Sequence, residues 1–407
     1  MRFTNAKLTY VQTRARQSGG DAGGGCGGGG RLSRVRYRQS LTRCRPHTLS
    51  CVRCRQSLTR RPAPPHTPHA PQDVPDIPAR FFVDETGLTH TIVGSTAFHW
   101  MTGPTVYNQT RNCTPAWNST QDPDPSMFAS AEWLDSPHVF PNGTVMALTH
   151  VEYDAMNIEV PKCPHNYPLC WTVTITLARS DDFGFTWRHA LPPPAHLVMA
   201  VPYQFNQSQP ASGWGDPSNI LQAADGFFYF GALNRHQVGL QPPGVCFLRT
   251  RDLTDPTSWR GHGGGGAFNV SFVSPYTMPP GEEVQHVCAT AFPNECMPSG
   301  LMWSTYLELF VVTLDCLEDQ SAAFIAYSSD MVAWSTPAPF YGIKDLPAEV
   351  RKNVTAFTYP TFVDPSGLSG GNFNSMGQTA PLFWVSIGHS PYTDGRRLWA
   401  TNLTFTK

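Results

Sequence analysis

One predicted strand places a carboxylate and an imidazole side by side. In residues 148–153, Leu-Thr-His-Val-Glu-Tyr, strand alternation puts His150 and Glu152 on the same face. A second carboxylate, Asp135, precedes a Ser-Pro turn one hairpin earlier. Two carboxylates, one protonated and one ionised, can cleave a glycosidic bond that lies between them. We therefore predict Asp135 and Glu152 as the catalytic pair. The structural alternatives are a hydrogen-bonded His–Glu pair and an Asx turn at Asp135.

Polar and aromatic residues near this pair in the sequence are candidates for binding a sugar. Asp216 precedes a proline, so an Asx turn is the alternative for it, and blade packing is the alternative for any tryptophan. No Cys/His set in 81–407 has metal-site spacing, and no Gly-rich phosphate loop precedes a helix. We therefore expect no metal and no cofactor. The predicted substrate-binding residues are His150, Tyr153, Trp171, His196, Asp216, Asn219 and Arg249.

The residues that must position this site read as a series of short strands. Helical periodicity is almost absent, and a unit of several strands with Gly-bearing turns recurs at intervals of about 60–80 residues. Units begin at Asp135, Asp216, Ser299 and Tyr359, and 81–133 supplies a further one. Radial repetition protects sheet edges without closing a barrel. The pattern predicts an all-β fold, a five-bladed β-propeller, with six blades or a β-sandwich as alternatives.

Composition agrees with this fold class. The 407 residues carry a net charge of −1, only 14% charged residues and 12% aromatics, with 34 Gly and 38 Pro. This profile is typical of a turn-rich β protein and argues against a coiled coil. The balanced charge argues against a nucleic-acid binder. The longest apolar runs fall far short of the roughly 20 residues of a membrane helix. We expect a monomer that neither binds nucleic acid nor spans a membrane.

The first 80 residues differ from the rest. They hold 15 Lys and Arg against 3 Asp and Glu, a Gly-rich run at 19–30 and a Pro-rich run at 62–78. Such segments bury too little apolar surface to offset their ordering entropy. We predict a disordered tail at 1–80 and a propeller domain at 81–407. Four tail residues have spacings that a zinc knuckle could use, but no apolar residues surround them, so we interpret them as incidental: Cys44, His47, Cys51 and Cys54.

Sequons and cysteines indicate the secretory pathway. Cys163 and Cys170 bracket one Pro-rich loop, and Cys288 and Cys296 bracket another, as local disulfides do. No signal peptide is visible, and a cytosolic protein with chance sequons is the alternative. Cys113, Cys246 and Cys316 leave an odd count and an open pairing. The eight N-glycosylation sequons begin at Asn108, Asn112, Asn118, Asn142, Asn206, Asn269, Asn353 and Asn402.

Residues 180–187, Ser-Asp-Asp-Phe-Gly-Phe-Thr-Trp, match Ser/Thr-x-Asp-x-Gly-x-Thr-Trp at every fixed position. This resembles the Asp-box of sialidases and related propellers, a structural turn away from their catalytic pocket. Its fixed residues are Ser180, Asp182, Gly184, Thr186 and Trp187. We expect Asp182 to accept backbone N–H bonds, Gly184 to take a positive φ and Trp187 to pack between strands.

The turn 328–334 is similar to the looser Ser-x-Asp-x-x-x-Trp turn of family-43 and family-32 glycoside hydrolases, which are five-bladed propellers. Other segments, such as 217–220 and 244–250, resemble uncharacterised secreted propellers. The Phe-Arg-Ile-Pro signature of sialidases and a clear arginine triad are missing. The resemblance therefore implies a secreted hydrolase of a neutral glycan. The alternative is a propeller that binds carbohydrate or a cell-surface partner without catalysis. Two carboxylates about 5–10 Å apart in a central pocket would distinguish the first from the second.

Overall fold

The computed structural model divides the chain into two compact units, Met1–Ala15 with His69–Lys407 and, separately, Arg16–Pro68. The structure describes part of the first unit, and the second lies outside the described residues. Of residues 2–10 only the backbone is described. The described residues are 2–10, 74–94, 97–112, 114–154, 170–208, 210–292, 295–365, 370–388 and 396–406.

The described residues form 25 strands and very little helix, which confirms the predicted all-β class. The first eleven strands are β1 (Arg2–Tyr10), β2 (Phe81–Val83), β3 (Thr89–Gly94), β4 (Ala97–Thr105), β5 (Asn108–Arg111), β6 (Trp117–Asn118), β7 (Ala131–Val139), β8 (Val145–Asp154), β9 (Trp171–Ser180), β10 (Arg188–His189) and β11 (Leu197–Met199). The next six are β12 (Ser212–Gly215), β13 (Leu221–Gln222), β14 (Phe228–Asn234), β15 (Gly244–Thr250), β16 (Arg260–His262) and β17 (Phe268–Val270). The last eight are β18 (Cys296–Ser304), β19 (Leu309–Cys316), β20 (Ala322–Ser328), β21 (Ala338–Gly342), β22 (Ala356–Phe362), β23 (Ser375–Met376), β24 (Thr379–Ile387) and β25 (Arg397–Thr406).

Helical segments in the described ranges are single turns. The one α-helical turn is Ala348–Arg351. The 3₁₀ turns are Pro125–Met127, Pro256–Ser258, Glu283–His286, Ile343–Asp345 and Gly370–Asn372. None of the described helices has the length and apolar character needed to span a membrane.

The strands form five groups of hydrogen-bonded neighbours, which are antiparallel except that β23 pairs parallel with β18. Group I contains β2 to β6, group II β7 to β11, group III β12 to β17, group IV β18 to β21 with β23, and group V β22, β24, β25 and β1. Groups II and III join through a parallel pair, β9 and β12, so hydrogen bonding counts them as one eleven-stranded sheet. This succession explains the repeat seen in the sequence, because each unit of the repeat is one of these groups.

The core lies between consecutive groups, and the packing returns from group V to group I. Each interface contains aromatic rings in contact, and this burial on both faces explains why a strand such as β8 is buried along nearly its whole length. One pair of ring centroids from each interface is Trp100–Trp187 at 6.0 Å (I–II), Phe140–Phe228 at 6.2 Å (II–III), Phe247–Trp334 at 4.5 Å (III–IV), Phe340–Phe362 at 5.9 Å (IV–V) and Phe81–Phe383 at 5.0 Å (V–I).

Two parts of the predicted disordered tail belong to the folded unit. Strand β1 pairs antiparallel with β25, from Arg2 opposite Thr406 to Tyr10 opposite Trp399. The exposed edge of a last strand offers unpaired backbone groups, and β1 satisfies them. Residues 77, 79 and 80 are also buried. The predicted domain start near Arg80 therefore leaves out these two parts of the folded unit. Residues 11–73, which include the four candidate zinc-knuckle residues, lie outside the described residues.

The turn 180–187 has the hydrogen bonds that its sequence predicts. Asp182 Oδ1 accepts the backbone N–H of Thr186 at 2.8 Å, and Ser180 Oγ accepts that of Gly184 at 2.8 Å. Gly184 has a φ of +87°. Trp187 donates from Nε1 to the Gly184 carbonyl at 2.7 Å and stacks on Trp100 of the neighbouring group. The turn thus connects β9 to β10, an outer strand of group II, and it anchors group II against group I.

The disulfides differ from the predicted local pairs. Cys246 is bonded to Cys288, and Cys296 is bonded to Cys316. The prediction that Cys288 pairs with Cys296 is therefore wrong, because strand pairing brings Cys296 opposite Cys316 in β18 and β19. Cys170 is also disulfide-bonded, and its predicted partner, Cys163, lies outside the described residues.

Candidate active site

A cavity of about 280 Å³ lies among four of the groups. Its wall is formed by the first strands of groups II, IV and V, the second strands of groups II and IV, and loops of group III. Many of the side chains that line this cavity are ionisable. Elsewhere, the buried positions of these strands carry mostly apolar residues. The lining residues that matter below are Asp76, Trp133, Asp135, His150, Glu152, Asp216, Arg235, Ser299, Asp315 and Tyr359.

His150 connects the backbone of Asp216 to the carboxyl group of Glu152. Its Nδ1 accepts the backbone N–H of Asp216 at 2.8 Å, and its Nε2 lies 3.0 Å from Glu152 Oε1. Burial disfavours a charged ring, yet Glu152 and Asp216 outweigh it and raise the pKa of His150. Because Nδ1 accepts the Asp216 N–H, Nδ1 carries no proton in this arrangement. Nε2 then carries the proton and donates it to Glu152, which fixes the orientation of that carboxylate.

Asp216 is held in its ionised form by an arginine. Arg235 Nη2 lies 3.0 Å from Asp216 Oδ2, and the same guanidinium lies over the Trp171 ring at 5.3 Å. Burial favours the neutral acid, but the charge of Arg235 outweighs it and lowers the pKa of Asp216. Trp171 therefore takes part in the site by holding Arg235, and Arg235 is itself neutralised by Asp216.

Asp315, at the end of β19, behaves in the opposite way. Its side chain is fully buried. Oδ2 accepts the backbone N–H of Tyr359 at 3.0 Å, whereas Oδ1 is buried without a hydrogen-bond partner. Burial, reinforced by the negative charge of Asp216, raises the pKa of Asp315 to about 7. The cavity thus holds a carboxylic acid that keeps its proton near neutral pH beside a carboxylate that has lost it.

Backbone strain accompanies these carboxyl groups. Asp216 has a φ of +50°, Tyr359 of +56° and Ser136, next to Asp135, of +34°. Residues other than glycine rarely occupy this left-handed region, and strain of this kind concentrates at functional sites. The three positions lie in three different groups, so each of groups II, III and V turns a strained residue toward the cavity or beside it.

Asp135 lines the cavity but is engaged by a buried arginine. Arg80 Nε lies 2.8 Å from Asp135 Oδ1, and the Ser136 N–H donates to the same oxygen at 2.6 Å. The other guanidinium nitrogens of Arg80 donate to the carbonyls of Ser299 and Pro217. Arg80 therefore ties groups II, III and IV together, and Asp135 supplies its counter-charge.

We expect Asp135→Asn to lower the free energy of unfolding by about 3–5 kcal/mol, because it leaves the Arg80 guanidinium buried and unpaired. Chemical denaturation measures this change. The matched control is Asp181→Asn, which removes one partner of the surface pair with Arg179 and should cost less than about 1 kcal/mol. Equal stability of Asp135→Asn and wild type, together with lost turnover, would instead assign Asp135 the catalytic role predicted from the sequence.

Four predicted binding residues lie away from the cavity. Tyr153 points to the opposite face of β8 from Glu152, and its hydroxyl donates to the Pro123 carbonyl at 3.0 Å. His196 is buried against the Phe128 carbonyl in group II, and burial lowers its pKa to about 3.

The other two serve packing between and within groups. Asn219 exchanges two hydrogen bonds with the backbone of Leu301, at 2.8 and 2.6 Å, and so joins groups III and IV. The Arg249 guanidinium lies over the rings of Phe227 and Phe268 at 4.2 and 4.6 Å. Neither contributes to the cavity lining, because both lie where side chains face a neighbouring strand or group.

Sequence analysis missed several cavity residues. Asp315 follows the apolar run 309–314, and a lone acid at the end of a buried strand is a signal that could have found it. Arg235 follows the buried strand β14 in the same way. Asp76 and Tyr359 carry no such signal: Asp76 lies within the Pro-rich run, and Tyr359 sits in an ordinary aromatic strand.

No family model matches the chain, and no curated protein matches it in sequence. Some solved structures are similar to it at low identity. A glycosyl hydrolase from Bacteroides ovatus is 10% identical over 81% of this chain and 85% of its own, with a TM-score of 0.44. A thermostable family-43 glycoside hydrolase is 10% identical over 82% and 92%, with a TM-score of 0.46. A structure described with the GH130 family of mannoside phosphorylases is 11% identical over 81% and 85%, with a TM-score of 0.44.

Proposed function

We propose that the folded unit is a five-bladed β-propeller. Five groups of mainly antiparallel strands follow one another along the chain, and apolar interfaces connect each group to the next and the fifth to the first. Residues from groups II to V, with the segment before β2, line one cavity. This is the arrangement in which a propeller gathers the inner strands of all its blades around a central pocket.

We further propose that this cavity hydrolyses a glycosidic bond. The observation that carries the proposal is Asp315, whose pKa of about 7 keeps it mostly protonated below that pH, in the same cavity as ionised Asp216. Asp315 donates the proton to the leaving-group oxygen. Glu152, oriented by His150, is the carboxylate that activates water or attacks the sugar, and Asp216 supplies the negative charge that helps to keep the proton on Asp315.

The charge of the cavity favours a neutral glycan. Among the described lining residues, Asp76, Asp135 and Asp216 are each paired with an arginine, and Asp315 holds its proton up to about pH 7, whereas Glu152 pairs with His150 and not with an arginine. A sugar carboxylate entering this cavity would meet repulsion without a cationic partner. Trp133 offers an aromatic surface at the cavity wall, where its ring contacts His150 edge-on. A flat, apolar sugar face can stack on such a surface.

A screen of chromogenic glycosides tests this function. We expect turnover of at least one neutral glycoside at pH 5–7 and none of sialosides or glucuronides. Binding of a neutral glycan without turnover of any glycoside would support the non-catalytic alternative. Turnover confined to the acidic sugars would contradict the charge argument while leaving hydrolysis itself intact.

We also propose that the protein is a monomer that enters the secretory pathway and carries N-linked glycans. All eight sequon asparagines are exposed, whereas the other asparagines with described side chains in 74–406, at 219, 234, 372 and 374, are buried or half-buried. At Asn112, Asn142 and Asn206 the side-chain oxygen accepts the backbone N–H of the sequon Thr or Ser. Glycan attachment needs such surface access, and two disulfides agree with an oxidising compartment.

Glycopeptide mass spectrometry of the protein secreted from eukaryotic cells tests this proposal. We expect glycans at most of the eight sequon asparagines and loss of the added mass on enzymatic deglycosylation. Asn219 and Asn234, which lie outside sequons, serve as internal negative controls. Absence of glycan at all eight positions, or retention of the chain in the cytosol, would contradict it.

A further inference from the structure

Group II brings two imidazoles and a carboxylate together outside the cavity. Glu132 lies on β7, His189 on β10 and His196 immediately before β11. One potential ligand atom from each lies within 4.8 Å of those of the other two. Glu132 is far from the two histidines in the sequence, and only the sheet that joins β7 through β8 and β9 to β10 and β11 brings the three together.

The hydrogen bonds of His196 leave one nitrogen ready to accept a cation. Its Nε2 lies 3.2 Å from the Phe128 carbonyl oxygen, which can only accept, so Nε2 carries the proton. Nδ1 therefore has a lone pair, and it is buried without a hydrogen-bond partner. A histidine that donates one N–H to a backbone carbonyl and presents the other nitrogen is the usual arrangement of a metal ligand.

The other two residues complete the donor set. Glu132 is fully buried, its Oε2 accepts the Thr120 N–H at 2.8 Å, and its Oε1 lies 2.6 Å from His189 Nε2. The Thr120 bond orients the carboxylate as hydrogen bonds orient ligating carboxylates in metal sites. The His189 side chain is 16% exposed, which leaves a route from solvent to the cluster.

We propose that Glu132, His189 and His196 bind one divalent zinc-class metal ion. Two imidazole nitrogens and one carboxylate oxygen are a donor set that zinc takes, with water as the fourth ligand. On binding, His189 Nε2 gives up the proton it shares with Glu132, the neutral ring carries its proton on Nδ1 instead, and Nε2 and the Glu132 oxygen become ligands. The ion would join the first strand of group II to its outer strands, one residue from Trp133 on the cavity wall.

Zinc titration of the chelator-treated full chain, made without a polyhistidine tag, tests the site. We expect one zinc per chain by elemental analysis and a higher Tm with zinc than with chelator. His196→Ala and Glu132→Gln should each weaken zinc binding by on the order of 100-fold or more, with the Tm no longer raised by zinc. Comparing each variant with and without zinc separates lost binding from a general loss of stability, and Glu132→Gln keeps an acceptor for Thr120.

Two controls locate the ion. His236→Ala removes a half-exposed histidine that pairs with Glu295 elsewhere in the fold, and it should leave zinc binding unchanged. The full chain with Cys44, Cys51 and Cys54 replaced by Ser should also bind zinc with wild-type affinity. No zinc bound by the wild type, unchanged binding in His196→Ala, or loss of binding in the Cys-to-Ser chain would each overturn the proposal. None of these outcomes depends on hydrolase activity.

Discussion

Asp315→Asn should lower kcat/KM of the proposed hydrolysis about 10²- to 10⁴-fold while making the folded protein more stable at alkaline pH. The activity falls because an amide cannot donate the proton that Asp315, with a pKa of about 7, supplies as general acid. The fold is kept, because the amide oxygen still accepts the Tyr359 N–H. Steady-state kinetics at pH 6 and denaturation at pH 4 and 8 measure the two effects.

The stability gain follows from the raised pKa. In the unfolded chain Asp315 ionises near pH 3.8, whereas in the folded protein it does so near pH 7. Stability is therefore fully present below pH 3.8 and is lost progressively as the pH rises to about 7. At 1.4 kcal/mol per pH unit the loss reaches about 4 kcal/mol, as an upper estimate for a fully buried group. The amide does not titrate, so Asp315→Asn should gain about 2–4 kcal/mol at pH 8 and almost nothing at pH 4.

The same carboxyl group sets the alkaline limb of activity. Wild-type kcat/KM should fall tenfold per pH unit above about pH 7, as the general acid loses its proton. Glu349→Gln, a change at an exposed carboxylate, is the control and should alter neither activity nor stability. If Asp315→Asn retains wild-type turnover and shows no pH-dependent gain in stability, the role of Asp315 is refuted.

Glu152→Gln should lower kcat by about 10²- to 10⁴-fold and leave sugar affinity within a few-fold of the wild type. The amide oxygen can still accept the His150 Nε2–H at the position of Oε1, so the side chain keeps its place and shape. What it loses is the negative charge needed to activate water or attack the sugar. Turnover measurements together with calorimetric binding of a neutral glycan separate the two effects.

Glu308→Gln, at an exposed glutamate in the β18–β19 turn, is the matched control and should behave as the wild type. An equal loss of kcat and affinity in Glu152→Gln would reassign Glu152 to substrate binding. Turnover at the wild-type rate would remove it from the site altogether and leave Asp216 as the remaining ionised carboxylate next to Asp315.

Local patterns in the sequence predicted the elements around Glu152 well. Alternation in 148–153 placed His150 and Glu152 on one face, and in the structure they share a hydrogen bond. The same alternation should have excluded Tyr153 from the site, since it faces the other side of β8. The turn 180–187 was readable because Asp182 and Gly184 act within a few residues of their own positions.

Side-chain contacts between groups could not be predicted from such local patterns. Arg80 was placed at the edge of a disordered tail, yet it is buried and bonded to groups II, III and IV. Asn219 and Arg249 were expected at the site, yet they join neighbouring strands and groups. The partner of each of these side chains lies far along the chain or across a hairpin, so no local pattern distinguishes a packing role from a binding role.

The sequence by itself determined the all-β class, the repeating unit and the conformation of the turns, because strand alternation and turn chemistry act over a few neighbouring residues. Only the tertiary structure decided the chemistry of the cavity. Asp315 has its pKa raised to about 7 because packing removes water from it and places Asp216 nearby, and these are properties of the assembled groups. The disulfide pairing and the Glu132–His189–His196 cluster were decided in the same way, by which strands become neighbours.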